Sequence, residues 1–405
     1  MSNIRRVESS GFFSPLESSR GLAALVVVVF HANWTNPLAA RNFFQNGALM
    51  VDFFFVLSGF VIFHSYGRKL ASLPDIARFL WLRLGRLYPL HLAFLLIFAG
   101  LELSTSVLSP DKPGFAHHNR HAFIANLMLV HSLGLTHRLT YNFPSWSIST
   151  EFYTYVLFAV VRCQCRDARR FAAAAVLIVI ISTATLIRLG IVPLVDAMAT
   201  WGFFRCCTGF FLGALACSIY SRCNAKRAAD ARETVQPEGS WTSWLSPFAL
   251  VTSIVFLSCV DPEGRWTYAM PLLSVFVILS ITLRPNPTLQ RLLASGPMSW
   301  LGRVSYSLYM VHAAVAWVVT RVLMTAFKFP LIERPGGASV ATPPVVGLLA
   351  LAGYIGLALV LSHFTYQRIE APFRNRSRLA AERWFPSVPA GFGTPPDLPG
   401  ASVAQ

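Results

Sequence analysis

The chain has 405 residues, 54% of them hydrophobic and only 13% charged, about half the roughly 25% charge of soluble globular chains. A mean hydropathy of +0.53 with 32 Phe and 10 Trp is more apolar surface than a soluble core of this size hides, so lipid is the solvent for much of it. Disordered, collagenous and disulfide-stapled classes are excluded by the same numbers, and the net charge of +16 needs its placement traced before it implies a partner.

Ten apolar stretches follow one another at 21–34, 47–65, 87–104, 146–161, 171–190, 200–220, 245–260, 268–283, 304–326 and 344–364. An eleventh, 121–135 (HAFIANLMLVHSLGL), is short and carries two His and an Asn. Positive charge arbitrates. With 121–135 not crossing and the N-terminus in the cytoplasm, 24 of the 34 Lys and Arg fall inside and seven outside, with Arg188, Arg205 and Arg321 within spans. Counting 121–135 as a span puts the cluster Arg162, Arg166, Arg169 and Arg170 outside. The chain therefore reads as an all-α polytopic membrane bundle of ten transmembrane helices with both termini cytoplasmic. The net charge is mostly topology, and no nucleic-acid partner is expected.

Basic residues before the first apolar run resemble a secretory signal, but removing that run would leave nine spans and upset the charge balance. Residues 1–13 read as a cytoplasmic segment, 14–375 as the membrane domain, and 376–405 as a disordered cytoplasmic tail rich in Pro and Gly (FPSVPAGFGTPPDLPG at 385–400). The seven Cys include no C-x-x-C pair and no His at zinc-finger spacing, so free thiols and no metal are expected.

Ionisable residues inside spans are costly and are functional candidates by default. Arg20 and His31 are 11 residues apart, within some 20° of one helix face and about 16 Å apart along the axis. Asp52 in VDFFFVLSG and Glu151 in PSWSISTEF lie near the outer ends of the second and fourth spans, and His312 in SYSLYMVH lies in the ninth. A carboxylate beside a buried His fixes its tautomer and raises its basicity, so two acids and two His can build a general-base site. The same residues can equally form a helix-bridging hydrogen-bond network without chemistry. Arg83 and Arg86, before Tyr88-Pro89, join Arg20 on the cytoplasmic rim. Arginine suits bidentate phosphate contacts, although any one of the three is also what topology alone would place there. Arg205 lies five residues into the sixth span and is available to pair with Asp52 or Glu151.

The chain has no G-x-S-x-G elbow, no G-x-x-x-x-G-K-[ST] loop and no His followed five residues later by Asp. A His/carboxylate base without an evident serine or cysteine nucleophile favours direct transfer or an acyl-histidine.

Six blocks in order resemble the acyltransferase-3 family: SPLESSRGLAALVVVVFHANW, with Arg20 and His31 as the R-x10-H pair, GALMVDFFFVLSGFVI, RLGRLYPLHL, PSWSISTEFYTYVLF, GRVSYSLYMVH and YQRIEAPFRN. They span about residues 14–375. Ser149-Thr150-Glu151 stands where many members read S-V-E, and no appended hydrolase-like domain of the kind some members carry is expected. The resemblance implies a bacterial inner-membrane enzyme with acyl-CoA, usually acetyl-CoA, as co-substrate. Its acceptor would be a hydroxyl on a glycan, a lipid-linked saccharide or another extracytoplasmic molecule. On this reading His31, Asp52, Glu151 and His312 are the catalytic candidates, and Arg20, Arg83 and Arg86 hold the coenzyme. A transporter using the same ionisable residues is the alternative, disfavoured because no two-half symmetry of broken helices is visible. A membrane sensor or scaffold has little need for six polar-bearing blocks.

Overall fold

Each of the ten apolar stretches forms one long helix in the computed structural model, which describes residues 14–108, 119–230, 241–334 and 337–385. They are α1 (Ser14–Phe30), α2 (Met50–Tyr66), α3 (Leu73–Leu108), α4 (Trp146–Gln164), α5 (Ala168–Arg188), α6 (Gly202–Asp230), α7 (Leu245–Cys259), α8 (Met270–Leu283), α9 (Gly296–Thr325) and α10 (Pro344–Thr365). Seven of them (α2, α3, α5, α6, α8, α9 and α10) are long and apolar enough to cross a membrane, α2 and α8 counted with the single turns that lead into them and α10 with its continuation to Trp384. The other three miss for separate reasons. Helices α1 and α7 have 17 and 15 residues, and α4 carries Ser147, Ser149, Thr150, Glu151 and Thr154 along its apolar run.

The segment 121–135 does not form a helix long enough to cross. Its helical part is Arg120–Leu127, eight residues and so about 12 Å, and turns follow. The Asn119 side chain caps this helix by accepting from the Ala122 amide at 2.8 Å.

Lipid supplies no hydrophobic drive between helices, so close backbone approach and hydrogen bonds hold the bundle together. Helices α2 and α6 meet through glycine: a Cβ on Gly213 would stand 1.9 Å from the Val56 carbonyl oxygen. Helices α1 and α9 meet at Gly21 and Gly302, where a Cβ on Gly302 would lie 2.6 Å from the Glu17 carbonyl. That second approach brings Arg20 within reach of the α9 backbone. On the outside, Leu177, Ile180 and Ile181 of α5 and Leu348 and Leu349 of α10 point away from the core, as lipid-facing residues do.

At its C-terminal end α10 passes through a π-helical turn, Tyr366–Glu370, into α11 (Ala371–Trp384). Helix α11 packs along the first half of α3, with Trp81 Nε1 donating to the Ser377 carbonyl at 3.0 Å and the Trp81 and Trp384 rings 4.9 Å apart. The tail expected from residue 376 is therefore helical as far as Trp384, because an aromatic and hydrogen-bonded seam anchors it; 386–405 lie outside the described residues. Near the other end of the bundle a hairpin pairs β1 (Leu331–Arg334) with β2 (Gly337–Val340). It grips the chain just beyond His31, with Thr35 N donating to the Val340 carbonyl at 2.9 Å and Val340 N to Asn33 at 3.0 Å.

Candidate active site

His31 follows the last residue of α1 and is half-buried. Its Nδ1 lies 2.9 Å from the Val27 carbonyl, one turn back. A carbonyl only accepts, so in the neutral ring Nδ1 carries the hydrogen and Nε2 the lone pair. His312, wholly buried on α9, repeats the arrangement with Nδ1 donating to the Tyr309 carbonyl at 2.6 Å. Its Nε2 is buried without a hydrogen-bond partner among the described residues. The two imidazoles stand side by side, ring centroids 4.9 Å apart, with Phe143 4.9 Å from His31 and 6.0 Å from His312. This pairing joins α1, α9 and the turn before α4. Each ring can take a proton at Nε2 while a backbone carbonyl fixes its tautomer.

The carboxylates expected beside His31 are elsewhere. Asp52 is buried and bonded bidentately by Arg205, Nε to Oδ1 at 2.9 Å and Nη2 to Oδ2 at 2.8 Å. Arg205 also donates to the Ala48 and Val195 carbonyls and lies over the Trp146 ring. Asp52 thereby ties α2 to α6, and of the two carboxylates, Asp52 or Glu151, expected to orient His31, this one is engaged by Arg205. Of the two pairings open to Arg205, Asp52 is the one formed. Glu151 accepts from the Tyr155 hydroxyl at 2.5 Å, and that hydroxyl contacts Ser58 at 2.9 Å. Among the described residues neither acid bonds His31; the Val27 carbonyl takes the place proposed for them.

Glu151 instead lines a cavity of about 150 Å³ together with Arg20, Arg83 and Arg86. Depth along α4 suggested the histidine end; the fold turns Glu151 towards the arginines. Arg20 is held by α9, with Nε donating to Ser305 Oγ at 2.8 Å and Nη2 to the Gly302 carbonyl at 3.1 Å. Arg83 donates to the Tyr66 hydroxyl at 3.2 Å and stacks over the Tyr66 and Phe79 rings. Arg86 makes no hydrogen bond to any described residue, leaving its donors free for a ligand. The three arginines that the sequence grouped are thus brought to one cavity.

Tyr309 and Ser147 line the same cavity, Ser147 Oγ donating to Tyr309 at 2.9 Å and Tyr309 to the Pro144 carbonyl at 3.1 Å. The Tyr309 ring is 5.6 Å from that of His312. Arginine cluster and histidine pair are therefore separated by one aromatic residue. Tyr309 was not singled out from the sequence, although its place three residues before His312 puts both on one face of α9. Glu370 was also missed. It is buried, and it accepts from Ser307 Oγ at 2.9 Å.

A profile described as an acyltransferase domain, that of the acyltransferase-3 family, matches residues 16–363. The chain is 26% identical over 382 residues to a provisionally named membrane-bound transacylase, BcsY, of Komagataeibacter xylinus, covering 87% of this chain and 91% of that protein. It is likewise 26% identical over 382 residues to a provisionally named peptidoglycan O-acetyltransferase, YrhL, of Bacillus subtilis, covering 89% of this chain but 55% of the relative. The acyltransferase MdmB of Streptomyces mycarofaciens is 32% identical over 158 residues, 35% of this chain and 37% of its own. No solved structure matches. A polar site buried among apolar helices, with a family profile spanning nearly all of them, leads to one conclusion: the chain belongs to the acyltransferase-3 family and is an integral membrane O-acyltransferase.

Proposed function

We propose that the protein transfers an acetyl or similarly short acyl group from cytosolic acyl-CoA to a hydroxyl on an extracytoplasmic glycan or glycolipid. The observation that carries this reading is the cavity running from Arg20, Arg83 and Arg86 to Tyr309, which itself holds His312 beside His31. The coenzyme's phosphates sit on the arginines and stay near cytosol, so no anion has to enter hydrocarbon. An extended pantetheine arm covers the roughly 16 Å of α1 between Arg20 and His31. His31 Nε2 takes the proton of the acceptor hydroxyl as its oxygen attacks the thioester carbon. The C–S bond then breaks, and the thiolate receives that proton.

The topology that goes with this reading has ten spans in a bacterial plasma membrane and both termini in the cytoplasm. The excess of Lys and Arg on the segments facing inside supports it. The relatives' names, an O-acetyltransferase of peptidoglycan and a transacylase, support the reaction class.

Sealed vesicles test sidedness and reaction together, because acyl-CoA does not cross a bilayer. Inverted vesicles, with the cytoplasmic face outward, are expected to take the label of added acetyl-CoA onto lumenal glycan and release CoA thiol. Right-side-out vesicles are expected to do neither. Transfer only in right-side-out vesicles would reverse the topology, and thiol release in neither would contradict the choice of donor.

A further inference from the structure

Helices α6 and α8 pack together, and their C-terminal ends meet. Arg227 Nη1, near the end of α6, donates at 2.6 Å to the carbonyl of Leu283, the last residue of α8. Between these ends and the start of α7 lies a cleft of about 520 Å³. Its walls are apolar: Phe276, Leu279 and Leu283, at i, i+3 and i+7 of α8, share it with Leu245, the first residue of α7. The helix ends add three cations to this lining, Lys226 and Arg227 from α6 and Arg284 from just beyond α8, and no acid lines it.

The three cations differ in what they hold. Arg227 is engaged by the Leu283 carbonyl, one of those that a helix end leaves without an intrahelical partner. Lys226 is exposed and Arg284 half-buried, and neither side chain bonds any described residue. Topology alone puts cations on this side of the membrane, but it does not make two helices converge them on one apolar-walled cleft. Phe248, its ring 6.4 Å from that of Phe276, is exposed, as are Val251 and Ile219. The apolar wall therefore continues onto the surface that lipid covers. A phosphate carrying acyl chains matches both the cations and this wall, whereas a soluble anion matches the cations alone.

We propose that this cleft binds an anionic phospholipid of the inner leaflet, its phosphate on Lys226 and Arg284 and its acyl chains along Phe276, Leu279 and Leu283 and out past Phe248. None of these residues lines the coenzyme cavity, so the site stands apart from the donor reading. Its leaflet follows from the excess of Lys and Arg on the inward-facing segments.

Native mass spectrometry of the full-length protein in detergent tests this, with phosphatidylglycerol and phosphatidylcholine as competing probes. Two free cations at about fivefold each give wild type an expected preference of about 25-fold for phosphatidylglycerol. Lys226→Gln and Arg284→Gln should each lower that preference about fivefold, and the double variant should erase it. Arg291→Gln removes an exposed cation outside the cleft and is expected to change the preference less than about twofold. No preference in wild type would overturn the proposal. So would an equal loss in Arg291→Gln, which would reduce the effect to net charge. Excess inorganic phosphate at matched ionic strength is expected to leave the lipid bound; displacement would assign the cleft to a soluble anion and end the proposal. If the double variant does not fold, the exposed Lys226→Gln decides alone: a lowered preference upholds the proposal and an unchanged one ends it.

Discussion

His31→Ala is expected to lower acyl transfer by about 10³-fold, within the range general-base catalysis supplies, while the protein stays in the membrane at normal abundance. The ring is half-buried, caps the end of α1 and makes one local hydrogen bond, to Val27, so its loss opens no large hole and frees no buried charge. His312→Ala differs. It empties a fully enclosed position on α9, so some loss of abundance is expected there along with loss of activity. Transfer assays normalised to membrane-extracted protein separate the two. Activity above a few per cent in His31→Ala would make His31 a packing residue and leave His312 Nε2 as the base.

The second large effect lies outside the chemistry. Asp52→Ala leaves Arg205 buried and unpaired, which costs about 3–5 kcal/mol, and the protein is expected to vanish from the membrane fraction. Arg205→Ala should do the same. Replacing both together, Asp52→Leu with Arg205→Met, removes the unpaired charge and is expected to recover most of the abundance and the activity per molecule. Asp52→Asn protein of normal abundance but without activity would return Asp52 to the catalytic group.

Much of the fold was legible because the bilayer enforces it. A helix in lipid must be apolar along its length, and each of the ten stretches coincides with a helix, seven of them long and apolar enough to cross a membrane. What the apolar runs conceal is the length of helix beyond the lipid. Residues 73–86 read as a charged cytoplasmic segment, yet they are the first half of α3, and 371–384 continue α10 through the π-turn. Packing between these two helices, through Trp81, Ser377 and Trp384, sustains them where apolarity does not.

The site was legible in its residue types and partly in its grouping. Arg20, Arg83 and Arg86 converge, and His31 meets His312, as intramembrane cost and depth suggested. Depth fixes the position of a residue along the bundle axis and leaves its azimuth open. Asp52 lay at a suitable depth and faces α6, where Arg205 binds it; Glu151 turns to the arginines. Glu370 was hidden by its surroundings, since an acid among Arg368, Arg374 and Arg376 reads as a surface charge until the structure buries it.

Calorimetry of acetyl-CoA binding to detergent-purified protein tests the division of labour most directly. Arg86→Gln and Arg20→Gln are expected to weaken binding about tenfold or more each, and high salt to weaken wild-type binding similarly. His31→Ala is expected to bind acetyl-CoA as wild type does while turning none over. Equal loss of binding in the arginine and histidine variants would contradict it and place donor and base in a single compact site.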